Sequence, residues 1–138
     1  MLVYNSGAIW WASVEDTPMK RFQLMQRVNP EGLYGAVQAA LPHLKQHGKG
    51  RIIVVSPPIY SRFFRGKAGY AVGKVGMSVL TKGLAMDFER QGLTEMAITS
   101  IWPAVVSIPV NRKRGVIMTM MGIQSRTYGE YQLTNVNT

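Results

Sequence analysis

An α/β fold with a short parallel sheet is predicted by three features of this sequence. Short strand-like runs occur at residues 2–5, 51–56 and 96–102, each bounded by turn residues. Long stretches with helical spacing of apolar residues lie between them, one reaching from Pro18 to about Leu44 and one from Lys67 to Arg90. The resulting order, strand, helix, strand, helix, strand, is the grammar of parallel sheets joined by right-handed crossovers. A chain of 138 residues with 46% hydrophobic content is long enough for one core and short for two.

The first run, Leu2-Val3-Tyr4-Asn5, begins abruptly and passes into the turn residues Ser6-Gly7-Ala8. With no preceding element to pair against, it reads as the start of a chain that lacks an earlier strand. After a loop containing Trp10 and Trp11, Asp16-Thr17-Pro18 predicts a helix start, since Asp or Thr can cap and proline is tolerated in the first turn. Apolar residues from Phe22 to Leu44 recur at steps of three and four, giving one buried face. Proline disfavours helical geometry at the residue before it, so Asn29-Pro30 predicts a kink or a break between two helices. Gly48 to Gly50 ends the segment.

Arg51-Ile-Ile-Val-Val-Ser56 is β-branched and bounded by glycine and proline, which predicts a strand buried on both faces. Pro57 to Gly66 reads as a loop. The next helix carries Tyr70, Val72, Val75, Met77, Val79, Leu80, Leu84, Met86 and Phe88 nearly around its circumference, so it needs cover on most sides, from a sheet and from another subunit. Gly92 closes it, Met96 to Trp102 forms the third strand, and Pro103 ends that strand. Beyond residue 106 the basic cluster Arg112-Lys113-Arg114, the Met-rich stretch at Met118, Met120 and Met121, and the polar end from Thr134 show no period, predicting a weakly structured tail over 107–138.

Composition removes several classes of function. The absence of cysteine excludes disulfides, thiolate metal sites and cysteine nucleophiles. His43 and His47 lie four apart, but no acidic partner accompanies them, and a solvated helix end is the better reading. A formal charge of +9 favours anionic partners, yet the basic residues are scattered over a helix end, a loop and the tail instead of forming one stripe, so nucleic acid is not expected as a partner. No apolar run reaches the roughly 18 residues of a membrane span, and the start has no leader pattern. A soluble, cytoplasmic protein is the expectation.

Chemistry concentrates at the start of the second helix. Tyr70 and Lys74 are four residues apart and therefore share one helical face. An ammonium close to a phenol stabilises the phenolate and draws its pKa down from about 10, which would let the tyrosine serve as acid or base. Taken alone the pattern is weak, and the pair reads as an ordinary surface pair of a helix.

It does not stand alone. Asn5-Ser6-Gly7 after a strand, Val28-Asn29 with Gly32 in a long helix, Gly50-Arg51-Ile52-Ile53-Val54-Val55-Ser56, Tyr70-x-x-x-Lys74 with Gly76, and Ile101-Trp102-Pro103 together resemble the short-chain dehydrogenase/reductase family over residues 2 to about 105. Ser56-Pro57-Pro58 and Tyr70-Ala-Val-Gly-Lys74-Val-Gly-Met-Ser78 are most similar to its hydroxysteroid-dehydrogenase-like branch. The resemblance implies a partial Rossmann-like parallel sheet of three strands with two long helices packed on it. It also implies an oxidoreductase that interconverts a small-molecule alcohol and a carbonyl, with NAD or NADP as cofactor. In that reading Tyr70 moves the proton at the substrate oxygen. Lys74 lowers the tyrosine pKa and binds the nicotinamide ribose. Asn29 holds a water linking the lysine to solvent, and Asn5 steadies the sheet beside the cofactor.

Three local departures accompany the match. The family's substrate-orienting serine lies one residue nearer the tyrosine, which puts Pro57 at its place and leaves Ser56 as a shifted substitute. The strand-end motif reads Tyr4-Asn5-Ser6-Gly7 where two asparagines and an alanine are usual, and Pro103, at the cofactor-side strand end, is followed by Ala104 instead of glycine. A fourth departure is larger: the family's Gly-rich turn between a first strand and a helix, which holds the pyrophosphate, has no counterpart here. Gly69, Gly73 and Gly76 cannot replace it, because they fall within a helix. The expected organisation is thus a catalytic part over 1–106 that lacks the N-terminal nucleotide-binding segment, followed by an atypical basic tail. The alternative is an inactive fragment that acts only as a dimerisation module through its two long helices, which in the family build a four-helix homodimer interface.

Overall fold

Parallel pairing of short, β-branched strands organises the molecule. The computed structural model describes residues 1–56, 66–103 and 123–125. Most of the loop after Ser56 and most of the tail, with the basic cluster at 112–114 and the Met-rich stretch, lie outside these residues. Strands β1 (Leu2–Tyr4), β2 (Arg51–Val55), β3 (Ala97–Pro103) and β4 (Ile123–Ser125) form one sheet in that spatial order. The first three are parallel, with Leu2, Ile52 and Ile98 in one row and Tyr4, Val54 and Ser100 in another. β4 runs antiparallel to β3, so a strand lies within the segment expected to be weakly structured.

Side chains alternate across a strand, and the alternation separates a covered face from an open one. Tyr4, Ile52, Val54, Ile98 and Ser100 are buried under the helices, whereas Val3 is exposed and Ile53, Val55, Thr99 and Ile101 are half-buried. β2 is therefore covered on one face and not on both, as its continuous apolar run had suggested. A run without alternation records only that neither face is fully wet.

Helix α1 (Met19–Gln26) continues through a π-helical turn (Arg27–Glu31) into α2 (Gly32–Gln46). Asn29-Pro30 thus produces a wider turn within one continuous helix, where a break was the alternative. Helix α1 also starts differently from expectation: Pro18 is the N-cap, with no side-chain cap. Asp16 and Thr17 are engaged with Ser13 instead, through Asp16 Oδ2 at 2.7 Å and the Thr17 hydroxyl on the Ser13 carbonyl at 2.6 Å. Gly48 and Gly92, at the ends of the helical segments, adopt φ of 67° and 72°, the left-handed conformation that glycine takes without a Cβ penalty.

Helix α3 (Ala68–Arg90) crosses the α1–π segment at close range. A Cβ on Gly69 would lie 3.0 Å from Met25 Cε, one on Gly73 3.1 Å from Asn29 Nδ2, and one on Gly76 3.6 Å from Pro30 Cβ. These glycines, which the sequence shows only as residues within a helix, let the two helices meet. Leu33 and Val37 of α2, Met77 and Phe88 of α3, and Ile52, Val54 and Ile98 of the sheet share one core. Full burial of a side chain such as Leu33, Ile52 or Met77 contributes about 2 kcal/mol. Contrary to the expected strand end, β3 begins at Ala97 and runs through Pro103.

Candidate active site at the strand ends

Parallel strands leave their carboxyl ends side by side, and in open α/β sheets ligands bind there. Here the ends of β1 and β2 meet the first two turns of α3 and the π-helical turn. Tyr70 stands in the first turn of α3 and is half-buried, while Lys74, one turn further on, is buried. The Lys74 ammonium donates to the carbonyl of Val55, the last residue of β2, at 3.3 Å. Gly7, in the segment after β1, passes so close that an added Cβ would lie 3.3 Å from Lys74 Nζ and 3.5 Å from Asn29 Oδ1.

Asn29 is completely buried, and both ends of its carboxamide are used. Its Nδ2 donates to the Ala8 carbonyl at 3.1 Å, and its Oδ1 accepts from the Ala8 N–H at 3.0 Å. The paired bonds hold the segment after β1 against the π-helical turn and place Gly7 over the lysine. Further along, the same segment is fixed by two cations over indole rings, Arg21 over Trp10 at 4.7 Å and Lys67 over Trp11 at 4.8 Å. Lys67 is the N-cap of α3 and Gly7 packs on Lys74, so residues 7–11 run beside the turn that bears Tyr70.

Burial sets the electrostatics. It pushes the Tyr70 phenol above its ordinary range, because the phenolate would lose solvation, and it pulls the Lys74 ammonium below its own. Burial of the phenol thus acts against the lowering expected from the lysine.

The remaining expected site residues are placed less centrally. Ser56 is buried beneath α3, where its hydroxyl donates to the Lys74 carbonyl at 3.1 Å and lies 2.7 Å from the Ser78 hydroxyl. With its one proton committed to the carbonyl, Ser56 is the acceptor from Ser78. It ties β2 to α3, while Pro57 lies outside the described residues. Asn5 is exposed just after β1, and Pro103 is the last residue of β3, opposite Ile123 in β4. The contacts of Val55, Gly7, Ala8 and Gly73 were not anticipated from the sequence. All four act through backbone atoms or the lack of a side chain, which residue chemistry does not announce.

Three parallel strands joined through helices, with a tyrosine and a lysine on a helix at the strand ends, place the chain in the Rossmann-like class of α/β proteins. Comparison of the sequence narrows that class. The chain belongs to the short chain dehydrogenase family, which it matches over residues 1–116, beyond the limit near 105 that the motifs had suggested. It is 36% identical over 105 residues to hydroxysteroid dehydrogenase-like protein 2 of Homo sapiens, a match covering 75% of this chain and 24% of that protein. The chain thus spans about a quarter of the length of that relative.

Solved structures agree. A protein from Xanthomonas campestris assigned as a dehydrogenase superposes with a TM-score of 0.67 at 44% identity, over 76% of this chain and 39% of the other. Peroxisomal multifunctional enzyme type 2 of Drosophila melanogaster gives 0.65 at 27% identity, over 78% of this chain and 20% of the other. Aldohexose dehydrogenase of Thermoplasma acidophilum, at 23% identity over 75% of this chain and 39% of the other, shares the fold with a TM-score of 0.66.

Proposed function

We propose that this chain carries the proton-transfer half of an NAD(P)-dependent oxidoreductase that interconverts an alcohol and a carbonyl. The observation that carries the reading is the convergence of Lys74, Asn29 and the Gly7–Ala8 backbone at the strand ends, beside the helical turn that bears Tyr70. Tyr70, held protonated by burial, donates to the carbonyl oxygen during reduction and receives the proton back during oxidation. Lys74 spends one of its three donors on Val55, which leaves two that would hold the ribose hydroxyls of a bound cofactor. Asn29, fastened to Ala8, orders the proton path behind the lysine. Ser56 holds the end of β2 against α3 so that Val55 meets the ammonium.

The residues present suit the nicotinamide ribose end of the cofactor, with Lys74 and Tyr70 as its holders and Asn5 and Pro103 at the flanking strand ends. The bound cofactor supplies or accepts the hydride. The pyrophosphate end is different: neither strand-to-helix connection, 5–18 or 56–67, has the Gly-rich turn that would cradle it. No helix among the described residues is long and apolar enough to cross a membrane.

A second reading, compatible with the first, concerns self-association. Val72, Val79 and Met86 are 56%, 66% and 61% exposed on the outer side of α3. Val72 and Val79 border an apolar groove lined also by Pro30, Ala71, Val75 and Gly76. A second copy of α3 laid in this groove would form the homodimer.

The deciding experiment pairs cofactor titration with turnover. Calorimetry with NADH and NADPH is expected to give dissociation constants above about 1 mM, because the phosphate-binding turn is lacking. At saturating cofactor, Tyr70→Phe is expected to slow reduction of a ketone panel by about a hundredfold or more. An unchanged rate in that variant would remove Tyr70 from the reaction and the proposal with it.

A further inference from the structure

We propose that Tyr4 is a positioning residue for Asn29 and Lys74: its hydroxyl, seated on the Val28 carbonyl, sets the register of the π-helical turn that presents the asparagine. The catalytic consequence rests on the oxidoreductase reading above, whereas the positioning itself does not.

In an α-helix the Gly32 N–H would donate to the Val28 carbonyl four residues back. Here it donates to the Arg27 and Asn29 carbonyls, and the Tyr4 hydroxyl, reaching over from the end of β1, donates to Val28. Tyr4 thus occupies a carbonyl that the α-helical ladder has let go. Room for the hydroxyl is made by Gly32, where an added Cβ would collide with Tyr4 Oη. The phenol ring sits in the core, and burial pushes its pKa up, so the group remains a donor.

Position matters as much as the bond. Tyr4 and Ala8 are four residues apart, and they are fastened to Val28 and Asn29, which are consecutive. The segment from Asn5 to Gly7 is therefore stapled at both ends onto one turn of helix, and Gly7 is the residue that packs against Lys74 Nζ. A shift of the π-helical turn by one hydrogen-bonding position would rotate Asn29 away from Ala8 by about 100°, given about 3.6 residues per turn. The Tyr4 hydroxyl opposes that shift from outside the helix, at the peptide immediately preceding Asn29.

The test uses the full chain, labelled for NMR, and follows solvent exchange of the Asn29 side-chain amide. In Tyr4→Phe the ring stays in the core and only the hydroxyl is lost; exchange at Asn29 Nδ2 is expected to quicken about tenfold, the equivalent of one lost hydrogen bond. Backbone amides of β2 serve as the internal reference and should keep their rates. Gly32→Ala, whose methyl takes the place of the hydroxyl, should quicken Asn29 exchange to the same degree. The double variant should be no worse than either single one, because both changes break the same contact. Turnover should fall about fivefold through kcat with KM for the cofactor unchanged, the mark of an interaction made only in the transition state.

Asn29 exchange that is unaltered in Tyr4→Phe, that rises together with the β2 amides, or that rises additively in the double variant would overturn the proposal. If Asn29 exchange responds while kcat does not, the positioning is upheld and the proton path through Asn29 is what fails.

Discussion

The two sides of α3 depart from the usual arrangement of a surface helix, with polar groups among the buried residues and apolar ones left exposed. On the inward side lie Lys74, Ser78 and Thr81, polar and buried; on the outward side lie Val72, Val79 and Met86, apolar and exposed. Each inward polar group is satisfied: Lys74 on the Val55 carbonyl, Ser78 on Ser56, and Thr81 on the Met77 carbonyl at 2.7 Å. Among the described residues no buried side-chain polar atom lacks a partner. The comparison separates two requirements. The inward side tolerates polarity because the fold provides acceptors at fixed places, and burial without them would cost a few kcal/mol per group. The outward side is unfavourable for a solitary domain, and the second copy proposed above would cover it.

Three experiments test that contrast. The largest effect is expected on the outer side, from Val72→Glu combined with Val79→Glu. Charges placed in an apolar contact should raise the dimer dissociation constant by at least about a hundredfold, read by sedimentation velocity, with the melting temperature of the monomer unchanged. A pair of variants that associates like the parent would leave the outward stripe without a role in assembly.

A smaller effect is expected between helix and sheet. Ser56→Ala deprives the Ser78 hydroxyl of its acceptor and should lower unfolding free energy by about 1–2 kcal/mol in urea titration. Turnover should fall only slightly, because Ser56 faces α3 and acts only through the Val55 contact with Lys74. A selective loss of turnover at unaltered stability would instead restore the serine to the substrate side.

The smallest effect concerns pH. Burial lowers the pKa of Lys74 in the folded chain below its unfolded value of 10.5. Between those two values the unfolded chain binds more protons, so the contribution of this lysine to stability rises with pH and levels off above about 10.5. Tyr70 acts in the opposite sense: its raised pKa makes the folded chain the proton-rich state above pH 10, so its contribution falls there. Lys74→Met should therefore be relatively most stable near neutrality and lose that advantage as pH climbs toward 10.5, measured by denaturant midpoints at intervals. Parallel curves for the two proteins would mean that the lysine is solvated as in the unfolded chain.

Much of this was legible in the residues. The strand runs around 2–5, 51–56 and 96–102 became β1 to β3, and the helical segments were recognisable because periodicity is a local property. Other features escaped. The burial of β2 on one face was hidden, since Ile52-Ile53-Val54-Val55 does not alternate. The π-helical turn was suggested only as an irregularity at Asn29-Pro30, because a widened turn and a break begin with the same proline. Ser56 could not be assigned a direction from its place in a motif, as the end of a strand can turn its side chain to either face.

The line between the two kinds of knowledge falls at Lys74. That it shares a helical side with Tyr70 is determined by sequence alone, because four residues make nearly one full turn in any α-helix. That its ammonium meets the Val55 carbonyl, with Gly7 over it and Asn29 held by Ala8, was decided by tertiary structure. Those contacts join segments about twenty or more residues apart, through backbone atoms and through glycines whose importance is the space they leave.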